Sequence, residues 1–179
     1  MVDPDKRTIL ITGAAAGINA ATAQHLRKLG HRVIGVDLHD ADIVADLSTE
    51  TGREAMAART HELAPGGLDG IVAGAGVSRP DDAGLAVQVN YFGAVATFEL
   101  LYPLLALSAC GRAVAVVSTA SLLPASAGTV AACLAGDEAR AIEAARADPA
   151  TAIWRARRRL HIGSGATQSR PAGQDAGLL

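Results

Sequence analysis

Aromatic residues are scarce: one Trp, two Tyr and two Phe among 179 residues. The core must therefore be built from Ala, Val, Leu and Ile, which suits a parallel sheet buried under helices. Excess charge of one sign is also missing. A net charge of −2 argues against a general binder of nucleic acid or of an anionic membrane, because such binders rely on surplus Lys and Arg. The two cysteines, Cys110 and Cys133, have neither framework spacing nor neighbouring metal ligands. A disulfide scaffold and a metal site are not expected, and the compartment indicated is a reducing cytoplasm. No apolar run occurs in Met1-Val-Asp-Pro-Asp-Lys-Arg7, so a secretory signal is not expected there. The uncharged stretch Ala113 to Ala135 is interrupted by Ser118, Thr119, Ser121, Pro124, Ser126, Gly128 and Thr129. It reads as strand, loop and helix start rather than as a membrane span.

Along the rest of the chain, apolar runs and helical periods alternate. Strands are predicted at Thr8–Thr12, Arg32–Asp37, Asp42–Ala45, Leu68–Ala73 and Arg112–Ser118. Helices are predicted at about Ile18–Leu29, Thr51–Glu62, Leu85–Leu107 and Thr129–Ala147. This order predicts an α/β fold: a doubly wound (Rossmann) parallel sheet with helices on both faces, incomplete on its C-terminal side. Residues 1–150 form the expected Rossmann domain, with a helical insert at about 129–147. Residues 151–179 contain an arginine cluster, then Gly, Ser, Gln and Pro without helical or alternating period, and read as an irregular tail.

Thr12-Gly-Ala-Ala-Ala-Gly17-Ile-Asn19 follows the first strand and opens the first helix. A tight turn through Gly13 and Gly17 lets the backbone approach a pyrophosphate, and the helix start at Ile18 supplies free N–H groups. Two glycines alone would also fit an ordinary turn. The strand before them, the Ala-rich helix after them and Asp37 closing the second strand turn the stretch into a dinucleotide fingerprint that includes Thr12. Asp37 is expected to accept from the adenosine ribose and to repel a 2′-phosphate, which predicts NAD over NADP. Asn19 stands where a third glycine is usual, and its side chain is expected to crowd the pyrophosphate. Asp46 and Leu47 fit either a cap on the next turn or contact with adenine, the second being preferred. Ala73, Gly74, Ala75 and Gly76 read equally as a close-packed strand end or as room for the nicotinamide and its ribose. Asn90 lies within an apolar helix, where a buried amide needs partners, and Ser118 closes the fifth strand on the ligand-binding edge.

These residues resemble the short-chain dehydrogenase/reductase family. Within it, Gly30-His-Arg-Val-Ile-Gly-Val-Asp37, Ala45-Asp-Leu-Ser-Thr49 and Val89-Asn-Tyr-Phe-Gly93 look most like the bacterial 3α-hydroxysteroid dehydrogenase/carbonyl reductases. A helical insert after Ser118 also suits that subgroup. The resemblance implies hydride transfer between nicotinamide and a secondary alcohol or ketone, usually by a homo-oligomer. Ser118 would hold the carbonyl oxygen, Asn90 would anchor a water in the proton relay, and a Tyr tuned by a Lys four residues later would move the proton. That pair is missing. The tyrosines are Tyr91 and Tyr102, neither has a Lys four residues on, and no lysine follows Lys28.

The gap coincides with the change in composition near Ile153. In a shifted frame, one permitted codon choice for the stretch from Arg155 yields Ala-Arg-Ser-Lys-Ala-Ala-Ser, which looks like the family's Tyr-x-x-Ser-Lys helix. An out-of-frame tail is the preferred expectation, ahead of a disordered tail or an Arg155–Arg159 patch that binds nucleic acid or an acidic partner. Whichever of the three holds, the fifth strand is expected to form an apolar sheet edge. Impaired catalysis is expected. The rival readings are a non-catalytic NAD-binding or interaction module, and a chain that binds nothing because Asn19 and the missing sheet edge together abolish the pocket.

Overall fold

The computed structural model describes residues 6–79, 81–118 and 126–148. Expectations for Met1 to Asp5, for the breaks at Thr119, Ser121 and Pro124, and for the tail with its arginine cluster lie outside the described residues.

Five parallel strands form one sheet in the order β3-β2-β1-β4-β5. They are β1 (Thr8–Thr12), β2 (Arg32–Asp37), β3 (Ile43–Val44), β4 (Gly70–Ala73) and β5 (Arg112–Ala115). The register aligns Ile9 with Val33, Leu10 with Ile34 and Ile11 with Gly35. It also aligns Leu10 with Ile71 and Ile11 with Val72. Because successive side chains alternate between faces, the register divides the apolar residues into two cores. Ile9, Ile11 and Val33 pack with Ala23 and Leu26, which belong to α1 (Gly17–Lys28). On the opposite face, Leu10, Ile34, Val36 and Ile71 pack with Met56, Phe98 and Leu101. The last three come from α2 (Glu50–Leu63) and α4 (Ala94–Leu105). The predicted doubly wound arrangement is thus present, with helices on both faces.

Helix starts follow from local chemistry. Thr49 caps α2 by accepting from Gly52 N, and Asp82 caps α3 (Ala83–Val87) by accepting from Leu85 N. α1 ends with His25, Arg27 and Lys28 in its last turn, where cations favour the negative end of the helix dipole.

Four expectations are corrected in detail. β4 begins at Gly70, because Leu68 N bonds Leu104 O rather than a strand. β5 ends at Ala115 instead of Ser118, since β4 ends at Ala73, although Val116 N still donates to Ala73 O. The predicted helix Leu85–Leu107 is interrupted by a π-helical turn at Gln88–Gly93 between α3 and α4. The insert is two helices, α5 (Ala127–Leu134) and α6 (Glu138–Ala147). Gly136, at φ 72°, ends the first, and Asp137 caps the second by accepting from Arg140 N. Periodicity alone runs through such a break when both halves are Ala-rich. Among the described residues β5 is an edge strand, and Val114 is half exposed, as expected of that strand. One helical run, Ala83–Leu105, is long and apolar enough to cross a membrane, but it is mostly buried in the protein core.

Candidate cofactor site

The carboxyl ends of β1, β2, β3 and β4 surround a cavity of about 550 Å³. Open α/β sheets bind ligands at this edge. The turn after β1 forms its floor. Gly13 has φ 73°, and a Cβ there would come within 2.8 Å of the Cα of Ala75, so only glycine allows the two segments to approach this closely. α1 starts at Gly17 without a side-chain cap and without an acid in its first turn. Its first N–H groups are therefore left for an anion. Ile18, three-quarters exposed, stands at the rim.

Asp37 forms the acidic corner. Its Oδ2 accepts from Ala15 N at 2.8 Å and its Oδ1 from Leu38 N at 2.7 Å, which ties the end of β2 to the glycine turn. Asp46 combines both readings of its position: Oδ1 accepts from Ser48 N at 2.9 Å, capping the turn, while the residue also lines the cavity with Leu47. Gly74, Ala75 and Gly76 form the opposite wall.

The other predicted site residues act from behind the wall. Neither Thr12 nor Ala73 lines the cavity. The buried Thr12 hydroxyl accepts from Gly74 N and Ala75 N, both at 3.0 Å, so it holds the β4 end in place. Asn90 sits in the π turn and clamps Val77 reciprocally, accepting from its N at 2.8 Å and donating to its O at 2.9 Å. Val77 itself lines the cavity. Ser118 is exposed, two residues beyond the lining residue Val116.

Ala16, Leu38, Val77, Val89 and Val116 also line the cavity without having been foreseen. Each follows a strand end or lies beside a predicted residue, but apolar side chains at such places carry no chemical signal.

Asn19 lines the cavity beside Gly13 and Gly17, but its side chain is tied down. Its side chain does not project freely across the pyrophosphate path: Nδ2 donates to Gly74 O at 2.8 Å, and the residue is buried. A Cβ on Gly74 would meet Asn19 atoms at 2.4 Å, and one on Gly13 would meet Nδ2 at 3.0 Å. The amide thus fills the space between two glycines and bolts the turn to β4. Asn19→Gly should destabilise the fold by about 1–2 kcal/mol, from a lost buried hydrogen bond and a helix glycine. A fall of roughly 3–6 °C in melting temperature is the corresponding shift. NADH affinity should change less than about threefold, less than one hydrogen bond's worth; a large gain on removing the amide would restore the crowding view.

A model of the short chain dehydrogenase family matches residues 7–133. The chain belongs to that family. The short chain dehydrogenase fold is seen at higher similarity in the 3α-hydroxysteroid dehydrogenase of Pseudomonas sp. B-0831, solved with NADH. That structure is 44% identical and superposes with a TM-score of 0.76, over 84% of this chain and 60% of its own. The 3α-hydroxysteroid dehydrogenase/carbonyl reductase of Comamonas testosteroni is 40% identical over 114 residues, 63% of this chain and 44% of its own length. A coniferyl-alcohol dehydrogenase from a Pseudomonas species is 38% identical over 93 residues, 49% of this chain and 35% of that protein. The matched stretches thus span less than half the length of these two curated relatives. The family is one of oxidoreductases that bind a nicotinamide cofactor.

Proposed function

We propose that residues 1–150 form an NAD-binding Rossmann domain of a cytoplasmic oxidoreductase acting on a secondary alcohol or ketone, a hydroxysteroid or carbonyl compound, and that turnover is impaired in this chain. The observation carrying the reading is the juxtaposition of the uncapped α1 start with Asp37 at one cavity. Its chemistry suits a pyrophosphate beside an unphosphorylated ribose. Gly13, Gly17 and Ile18 would hold the pyrophosphate, Asp37 the adenosine ribose, Asp46 and Leu47 the adenine, and Gly74 to Gly76 the nicotinamide half. A bound nicotinamide cofactor supplies or accepts the hydride. Ser118 would orient a substrate oxygen, and Asn90 holds the Val77 wall and would anchor a water.

NADH titration by fluorescence, with NADPH alongside, tests the cofactor assignment. Saturable NADH binding with weaker NADPH binding is expected; no binding of either would overturn the reading. Asp37→Ser should weaken NADH binding roughly 10- to 100-fold, the worth of a hydrogen bond to a charged acceptor. Removing the negative charge also relieves repulsion of a 2′-phosphate, so the preference for NADH over NADPH should shrink or invert. An unchanged preference would show that Asp37 does not read the ribose.

A second reading, a non-catalytic NAD-binding or interaction module, is favoured by the positions of the tyrosines. Neither Tyr91 nor Tyr102 lines the cavity. Cofactor titration does not separate the two readings, whereas turnover does.

A further inference from the structure

We propose that Arg53 and Glu138 are positioning residues for one wall of the cofactor cavity. Through them the insert helix α6 sets the conformation of Leu47, which it does not itself bring into the cavity. The proposal deepens the NAD-binding reading and rests on it for its effect on affinity.

Arg53 lies on α2 and is only 6% exposed, a position a guanidinium tolerates only with its charge paired and its donors satisfied. Its Nε donates to Leu47 O at 2.8 Å and its Nη2 to Ser48 O at 3.2 Å. The same Nη2 reaches Gln88 O at 3.5 Å. The two remaining bonds form a fork to Glu138, with Nη1 to Oε2 at 2.7 Å and Nη2 to Oε1 at 2.6 Å. One face of the guanidinium stands over the Phe92 ring, 5.9 Å from its centroid.

Neutralising a cation requires only the carboxylate. The three carbonyls are the informative part, because they belong to the two segments that carry Leu47 and Val89 into the cavity. Gln88 Nε2 adds a direct bond to Ser48 O at 3.2 Å, closing the loop between these segments. Glu138 comes from the first turn of α6, 85 residues away in sequence from Arg53. Without it, the buried cation would have only neutral carbonyls and would be drawn towards solvent, releasing Leu47 and Ser48. A bidentate carboxylate holds the planar fork in the single orientation that also reaches Leu47 O. A lysine at position 53 would retain the charge but could not make this set of bonds.

Two measurements on the full chain test the proposal. Hydrogen exchange of the 46–49 segment, without cofactor, should accelerate about tenfold in Arg53→Lys and in Glu138→Ala, as expected when a positioning network is cut. Strands β1 and β2 should be unaffected. NADH affinity, measured well below the melting temperature of each variant, should fall by about the same factor in both. Binding of reduced nicotinamide mononucleotide, which lacks the adenosine half, should stay unchanged. Glu138→Gln keeps an acceptor oxygen and should recover part of the loss. Unchanged exchange at 46–49 overturns the positioning role, and equal losses for NADH and the mononucleotide reduce it to a general structural one. Accelerated exchange in a chain that never binds NADH would leave the clamp standing and overturn the NAD-binding reading instead.

Discussion

Mixed with NADH and a ketone, or with NAD and a hydroxysteroid, the purified chain should turn over about 10⁴-fold more slowly than the Comamonas testosteroni relative assayed beside it, because general acid–base and electrostatic contributions are lost together. General acid–base catalysis contributes about 10²–10⁴-fold, and electrostatic stabilisation of the developing charge is of similar size. The two do not add in full when one Tyr-Lys unit provides both, so the expected loss is about 10⁴, the upper end of a single contribution.

The chain's own tyrosines and lysines cannot replace that unit. Tyr91 is buried and meets Phe92 edge-on, with ring centroids 5.1 Å apart. Burial raises its pKa, whereas proton transfer near neutrality needs a lowered one. Tyr102 is exposed on α4, away from the cavity. The two lysines are Lys6 and Lys28. Lys6 precedes β1 and lines a separate cavity at the amino end of the strands, with Thr8 and Asp69. Lys28 ends α1. Residues 149–179 contain neither Tyr nor Lys. Rates within tenfold of the relative would mean another group moves the proton, and the reading of impaired catalysis would fall. NADH binding without turnover would favour a non-catalytic module.

The part of the site legible in the sequence is the part built from backbone. A strand, two glycines with the required spacing, an Ala-rich helix and an acid at the next strand end form a local pattern, and each feature has one main physical use. Asp37 and Gly13 therefore stand where the pattern puts them. Asn19 lines the cavity as its position indicates, but the bond that holds it could not be read locally because its partner, Gly74, is 55 residues away. Its sequence neighbours place the side chain at the cavity, and the fold adds the Gly74 carbonyl that holds it there. Thr12 and Asn90 do differ from expectation: both bond the segment after β4 and shape the cavity without lining it. The π turn at Gln88–Gly93 and the break at Gly136 left no mark on hydrophobic periodicity, since apolar or Ala-rich helix continues on both sides of each. The Arg53 clamp was invisible for a further reason. An arginine in a polar helix looks solvated until the fold brings Glu138 to it.

Gly52→Ala should destabilise the protein by about 3 kcal/mol, at the upper end of typical overpacking penalties. At an ordinary helical site the same change stabilises by roughly 0.5–1 kcal/mol, because alanine loses less backbone entropy on folding. Here the sign reverses. A Cβ at position 52 would lie 2.0 Å from Asp46 O and 2.7 Å from its carbonyl carbon, with Thr49 Oγ1 at 2.9 Å. Backbone atoms cannot rotate away as a side chain can, so the turn itself must move. That turn is tightly bonded: Asp46 O accepts from Thr49 N at 3.2 Å and from Thr49 Oγ1 at 3.1 Å. Thr49 Oγ1 in turn accepts from Gly52 N at 3.1 Å, capping α2. Moving Asp46 therefore loosens the helix cap and carries Leu47 away from Arg53 Nε. A melting temperature lower by roughly 6–12 °C follows from the size of the domain, with weaker NADH binding. Gly66→Ala is the control, since a Cβ there meets nothing within 4 Å and should shift stability by less than about 1 kcal/mol. If both variants melt at the wild-type temperature, the turn at Asp46 is slack, and the clamp built on Leu47 O loses its rigid anchor as well.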